Sequence, residues 1–195
     1  DVIGPTSMGY IGNADVFDAL VEIGKTERVT VHINSPGGSV DEGVGIYNLL
    51  KNHPGKVDVI VDSLAASIAS VIAMAGETIT MTKGSKLMIH EPWTVAMGNS
   101  KALRKQADLL DLYQSSIIKI YEDRAKLSRD EIISLLEAET WMEPEQAIAI
   151  GFADSIKGCA IETPAVPQNT FQNVPKGVRE VKLEKPSTKH RDHAK

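Results

Sequence analysis

Three short segments carry residues able to do chemistry together. Ser67 lies in Asp62-Ser-Leu-Ala-Ala-Ser67-Ile-Ala-Ser70, directly after the apolar run Val57–Val61. A serine on a strand-to-helix turn is where an exposed nucleophile can be held. Ala65, Ala66 and Ala69 leave room for a substrate backbone. A helix beginning there would aim its first N–H groups at developing negative charge. The same small residues also suit close helix packing, and Ser63 and Ser70 are rival hydroxyls. The second segment is Asn34-Ser-Pro-Gly37-Gly38. Paired glycines after a strand can turn their N–H groups outward, as an oxyanion hole requires, although an ordinary turn has the same composition. The third is Lys86-Leu-Met-Ile-His90-Glu-Pro92, which ends an apolar strand on a histidine. Such a histidine is a candidate general base. His32, His53, His190 and His193 are weaker candidates, and Cys159 beside Gly158 reads as a structural cysteine.

The pattern of the chain predicts the elements that position these residues. Asn13–Ile23 reads as a helix capped by Asn13 and stopped by Gly24. Val29–Ile33 and Val57–Val61 read as buried strands, with a helix over Val40–Lys51 between them. Ala65–Ala75 reads as a helix rich in small residues, followed by short strands at Thr78–Met81 and Leu87–Ile89. A long helix is expected from Asn99 to about Lys126, because Leu103, Leu110 and Ile117 recur every seven residues. Its apolar stripe would serve either the chain's own core or a partner. Ser128-Arg-Asp-Glu131 is a capping box that opens another helix. Glu143-Pro144 opens a short one that Gly151 ends. This alternation argues an α/β fold.

Of 195 residues, 42% are hydrophobic, 24% charged and 5% aromatic, so the core must be mainly aliphatic. No run of about twenty apolar residues is present to span a membrane. A single cysteine cannot form an internal disulfide, which fits a reducing compartment. The net charge of −5 is unevenly spread: Lys176–Lys195 holds seven Lys/Arg and three Asp/Glu, a net of +4, leaving −9 on the rest. An acidic body argues against nucleic acid as the main partner. From Thr163 the chain is polar and proline-containing. A folded domain over 1–162 and a tail or linker over 163–195 are therefore expected. The start of the chain shows no secretory signal pattern.

Four blocks in order carry a resemblance: Ile33-Asn-Ser-Pro-Gly-Gly38, Leu64-Ala-Ala-Ser67, Met88-Ile-His-Glu-Pro92 and Glu139-Thr-Trp-Met-Glu-Pro up to Asp154. The chain resembles the proteolytic subunit of Clp protease, and within that group the phage head maturation proteases. The resemblance implies a spiral of β-β-α units, shared with crotonases, with a protruding handle helix at 99–126 that joins rings face to face. It implies Ser67 as nucleophile, His90 as general base, and the Gly38 and Ile68 N–H groups as oxyanion hole. The family's third member is an Asp, and Glu139 occupies its place here. The longer Glu side chain must reach the imidazole by a different rotamer. Glu137 is a rival, and a bare Ser67–His90 dyad is an alternative. Asp62-Ser63 and Glu91 stand where the family usually has Gly and Gln. Asp1–Gly4 reads as the tail of a first strand whose beginning is absent.

The activity implied is that of a serine endopeptidase with no metal, nucleotide or other cofactor of its own. The implied partners are a polypeptide substrate and other copies of the chain in a ring, with a heptamer as one candidate size. A head maturation protease would also meet capsid or scaffold protein. The implied location is the bacterial cytoplasm or a phage procapsid. Alternatives are a housekeeping Clp-type subunit working with an ATPase, a crotonase-like acyl-CoA-binding protein, a Ser–Lys enzyme using Lys83 or Lys86, and an inactive ring subunit.

Overall fold

The computed structural model describes residues 1–157. Cys159, His190, His193 and the expected tail from 163 lie outside them. The order is α1 (Asn13–Ile23), β1 (Val29–Ser35), α2 (Val40–Lys51), β2 (Val57–Ala66), α3 (Ile68–Ala73), β3 (Thr78–Thr82), β4 (Lys86–Ile89), α4 (Ser100–Glu122), α5 (Arg129–Glu137), β5 (Thr140–Met142), α6 (Pro144–Ile150) and β6 (Ser155–Lys157). The fold is α/β, as the alternation predicts.

Among the described residues, β2 is the hub of one six-stranded sheet with the order β5-β4-β2-β3-β6 and β1 beside β2. Its first half pairs in parallel with β1 and β3, and its last residues pair in parallel with β4. β5 runs antiparallel, against β4. Parallel strands buried on the core side read as aliphatic runs. Val59, Val61, Ile79, Met81, Leu87 and Ile89 are accordingly fully buried, in one cluster with Ile68 and Ile72 of α3 and Ile132 and Leu136 of α5.

Several boundaries differ from the sequence expectation for physical reasons. Ala65 and Ala66 belong to β2 rather than to the following helix. The edge of β4 and Ser35 of β1 claim their backbone groups, with Leu64–Ala66 opposite Lys86–Met88. The helix starts only at Ile68. Asn13 is the first residue of α1 rather than its cap. The preceding Gly12 takes that place, and Asp15 accepts the Gly12 N–H at 2.9 Å. β5, three residues long, went unpredicted.

The long helix α4 buries only Ile117, Ile118 and Tyr121. Along the stripe, Leu103 is 43% exposed and Leu110 half-buried, and Leu112 on the opposite face is 63% exposed. The apolar stripe is therefore fully buried in this chain only at its C-terminal end. Upstream of α4, Trp93, Val95 and Met97 alternate along an exposed segment without regular structure.

Candidate active site

The register of the sheet brings Ser67 and His90 together. Ala66 pairs with Met88 across two parallel strands, and the Ser67 N–H donates to the Met88 carbonyl at 2.9 Å. Ser67 is one residue beyond the end of β2, and His90 one beyond the end of β4. Both thus sit at the carboxyl ends of parallel strands, where sites of α/β sheets form. His90 Nε2 lies 2.8 Å from Ser67 Oγ, within hydrogen-bond reach for proton transfer.

Ser67 holds φ 56° and ψ −129°. A non-glycine residue in that region is strained, and such strain concentrates at functional turns. The turn is over-determined by its neighbours. The Ser67 carbonyl accepts the Ser70 N–H at 2.9 Å and the Ser70 hydroxyl at 2.6 Å. Ser70 is completely buried, so it is no rival nucleophile. Ser63 is exposed and Lys86 Nζ pairs with Glu143 at 3.1 Å. His32 Nδ1 is engaged by Asp62 at 3.0 Å, and His53 Nε2 lies 2.9 Å from the Glu27 carbonyl.

The glycine loop lies against this turn. Gly37 has φ 99° and Gly38 φ 148°, a conformation that L side chains avoid. A Cβ on Gly37 would stand 2.7 Å from Ser67 Cβ and 3.3 Å from the Ile68 nitrogen. The two peptide planes that would supply an oxyanion hole are each held through their oxygen. Gly37 O accepts the Ile3 N–H at 2.9 Å. Because a trans peptide is planar, the Gly38 N–H must point away from that bond. The Ile68 N–H is aimed in the same way, opposite the Ser67 oxygen held by Ser70. Ile68 opens α3, where an N–H has no intrahelical acceptor. Among the described residues neither N–H donates to a protein group. Two free N–H groups beside a serine–histidine pair can receive the negative oxygen of a tetrahedral intermediate.

Glu139 reaches the neighbourhood of His90 by a different route. Ile89 pairs with Thr140 across the antiparallel β4–β5 ladder, so Glu139 and His90 are the next facing positions. They line one open groove together with Glu91, Trp93, Leu136 and Glu137. The Glu139 carboxylate, however, accepts the Trp141 indole N–H at 3.3 Å. Among the described residues no carboxylate hydrogen-bonds to His90. Glu139 also holds φ 48° just past α5, the left-handed position where glycine commonly ends a helix.

Two features of the site escaped sequence reasoning. One is β5, whose pairing delivers Glu139. The other is the contact of Ser70 Oγ with Tyr121 OH at 2.7 Å, which joins residues fifty-one positions apart and leaves no local sequence signal. Among the described residues there is no group of three or more metal-ligating side chains, and no helix is long and apolar enough to cross a membrane.

Comparison with known proteins agrees with this geometry. The sequence model of the Clp protease family matches residues 14–159, a span containing Ser67, His90 and Glu139. The ATP-dependent Clp protease proteolytic subunit 2 of Synechococcus sp. is 32% identical over 135 residues, covering 66% of this chain and 66% of that protein. The ATP-dependent Clp protease proteolytic subunit of Leuconostoc citreum is 32% identical over 135 residues, covering 67% and 68%. That of Deinococcus radiodurans is 28% identical over 132 residues, covering 67% and 65%. The chain thus spans about two thirds of the length of these relatives. With the family model covering most of the sequence and the strand register carrying its motifs, the chain belongs to the Clp protease family.

Proposed function

We propose that this chain is a serine endopeptidase in which Ser67 is the nucleophile and His90 its general base. The observation that carries the reading is the 2.8 Å contact between Ser67 Oγ and His90 Nε2 on a strained turn. His90 Nε2 takes the hydroxyl proton as Ser67 Oγ bonds to the peptide carbonyl carbon. The carbonyl electron pair moves onto oxygen, where the Gly38 and Ile68 N–H groups receive it. Collapse expels the amine, which takes the proton back from His90 and leaves an acyl-enzyme. Water, deprotonated by His90, attacks the acyl carbon; the ester bond to Ser67 Oγ breaks, His90 returns the proton to that oxygen, and the acid leaves. Glu139 is the candidate third member. Its left-handed backbone supports that role, since a costly conformation persists where function requires the residue. A rotation of its carboxylate from Trp141 to the imidazole would complete a triad, and without it the pair works as a dyad.

The unit is proposed to be a ring of identical subunits acting on polypeptide. Leu103 and Leu112 on α4, with Trp93, Val95 and Met97 before it, leave apolar surface uncovered in the single chain. Large apolar side chains left exposed on and before α4 are available for burial against other copies of the chain. Two settings fit such a peptidase. The relatives named above are ATP-dependent Clp subunits, which favours work alongside a separate ATPase. The Met88-Ile-His-Glu-Pro-Trp93 and Glu139-Thr-Trp-Met142 variants favour the second setting, cleavage of capsid or scaffold protein in an assembling phage shell.

The test is degradation of reduced, unfolded casein by the purified full chain, together with native mass spectrometry. Ser67-dependent cleavage by a ring-sized species is expected. A folded monomer that leaves casein intact would overturn the reading. Cleavage of folded substrates only with an added Clp ATPase and ATP would select the first setting, and cleavage of capsid precursors without either would select the second.

A further inference from the structure

Ser70 and Tyr121 stand outside the reacting groups, yet they form a buried polar chain that ends on the nucleophile's own backbone. Ser70 is 0% and Tyr121 1% exposed. The Ser70 hydroxyl donates to the Ser67 carbonyl at 2.6 Å, so its proton is committed. The 2.7 Å contact between Ser70 Oγ and Tyr121 OH must then have the tyrosine as donor. Burial pushes the Tyr121 phenol well above its ordinary value of 10.0, which keeps it a neutral donor. The tyrosine ring is itself fixed, with its centroid 5.0 Å from that of Phe152.

What this chain controls is set by peptide planarity. The Ser67 carbonyl and the Ile68 N–H belong to one planar unit and point in opposite directions. A bond that fixes the oxygen therefore fixes the direction of the N–H. The Ser70 N–H gives the Ser67 oxygen one such bond at 2.9 Å, and the side-chain bond at 2.6 Å is a second from another direction. Donation onto a carbonyl also polarises the amide and strengthens its N–H as a donor. Serine and alanine are close in size, so packing alone makes no demand for a hydroxyl at position 70. A buried tyrosine hydroxyl without a partner would be costly, which makes the pair interdependent.

We propose that Ser70 and Tyr121 are positioning residues that set the direction and strength of the Ile68 N–H as an oxyanion donor, tying the strained Ser67 turn to the base of α4. The proposal rests on the serine-peptidase reading of Ser67 and His90. It predicts an effect on the transition state rather than on binding, because the N–H matters most when negative charge has formed on the reacting oxygen.

The experiment uses the full chain and a fluorescent fluorophosphonate. Ser67 Oγ attacks its phosphorus, fluoride leaves, and His90 takes the proton. The maximal labelling rate and the half-saturating probe concentration are measured separately for Tyr121→Phe, Ser70→Ala and the double variant. Tyr121→Phe keeps the ring against Phe152 and serves as the variant least disturbing to folding; thermal melts confirm that each variant is folded. The expected result is a maximal rate about 3- to 10-fold lower in each single variant, the size of one neutral hydrogen bond, with half-saturation unchanged. Tyr121→Phe should slow the reaction no further in the Ser70→Ala background, since it acts through Ser70. A wild-type maximal rate in folded Tyr121→Phe and Ser70→Ala, a change confined to half-saturation, or two independent multiplicative losses would overturn the proposal. Failure of the underlying reading looks different: the folded wild type itself takes no label on Ser67, and the proposal falls with it.

Discussion

Replacing Gly37 by alanine tests how tightly the glycine loop is built against the nucleophile. Gly→Ala at a compatible position usually stabilises a protein by about 0.4–1 kcal/mol through the unfolded chain. Here the sign reverses. Gly37 holds φ 99°, and its added Cβ would stand 2.7 Å from Ser67 Cβ and 2.8 Å from the Ala66 carbonyl oxygen. Left-handed backbone costs an L residue about 1–2 kcal/mol, and overpacking adds about 1–3 kcal/mol. A destabilisation of roughly 2–5 kcal/mol follows. Carbon atoms pack at about 3.5–4.0 Å, so Ser67 must retreat by something near 0.8 Å or the loop must move as far. A misplacement of about 1 Å at a reacting group costs on the order of 100-fold in rate. Gly84→Ala is the matched control. It also has a positive φ, 84°, but nothing lies within 4 Å of its Cβ, so it should cost about 1 kcal/mol and leave the rate alone. Urea unfolding and fluorophosphonate labelling of both variants provide the comparison. Gly37→Ala with the labelling rate of Gly84→Ala would refute the claim that this loop abuts the reacting group.

Three further outcomes follow from the same geometry. Glu139→Gly relieves a left-handed glutamate and should raise stability by about 1 kcal/mol in urea, while lowering the Ser67 labelling rate if the carboxylate serves His90; an unchanged rate would leave a dyad. Phe152→Ala removes the fully buried ring against Tyr121 and should cost about 3–5 kcal/mol in urea unfolding. The Arg28 guanidinium, and after it the Thr78 hydroxyl, hold the Asp58 carboxyl below its ordinary value of 3.8. Its stabilising contribution is therefore complete above about pH 5 and lost as pH falls through the lowered folded value. Asp58→Asn should flatten that acid limb in urea unfolding at graded pH, and an unaltered limb would contradict the assignment.

Much of this molecule is legible from its sequence because local chemistry and tertiary packing agree. The Ser128–Glu131 capping box opens α5 and Gly151 ends α6, as the residue types require. Ser67 and His90 stand out in the sequence through the order of the four motif blocks, with His90 also closing an apolar run. What the sequence could not convey is register. Their 2.8 Å contact depends on Ala66 facing Met88, a pairing that no local pattern encodes. The extent of β2 was misjudged because Ala65 and Ala66 have high helix propensity, and strand neighbours override it. Glu139 was found by motif, but its engagement with Trp141 and its left-handed backbone emerge only where α5 turns into β5. The Ser70–Tyr121 contact lies beyond any sequence window.

The most direct measurement is mass-spectrometric mapping of a fluorophosphonate adduct on the full chain, with Ser67→Ala and His90→Ala beside the wild type. The account predicts one adduct per subunit on Ser67, absent in Ser67→Ala and nearly absent in His90→Ala, with all three proteins folded alike. An adduct on another serine, or a folded wild-type assembly that remains unlabelled, would contradict it.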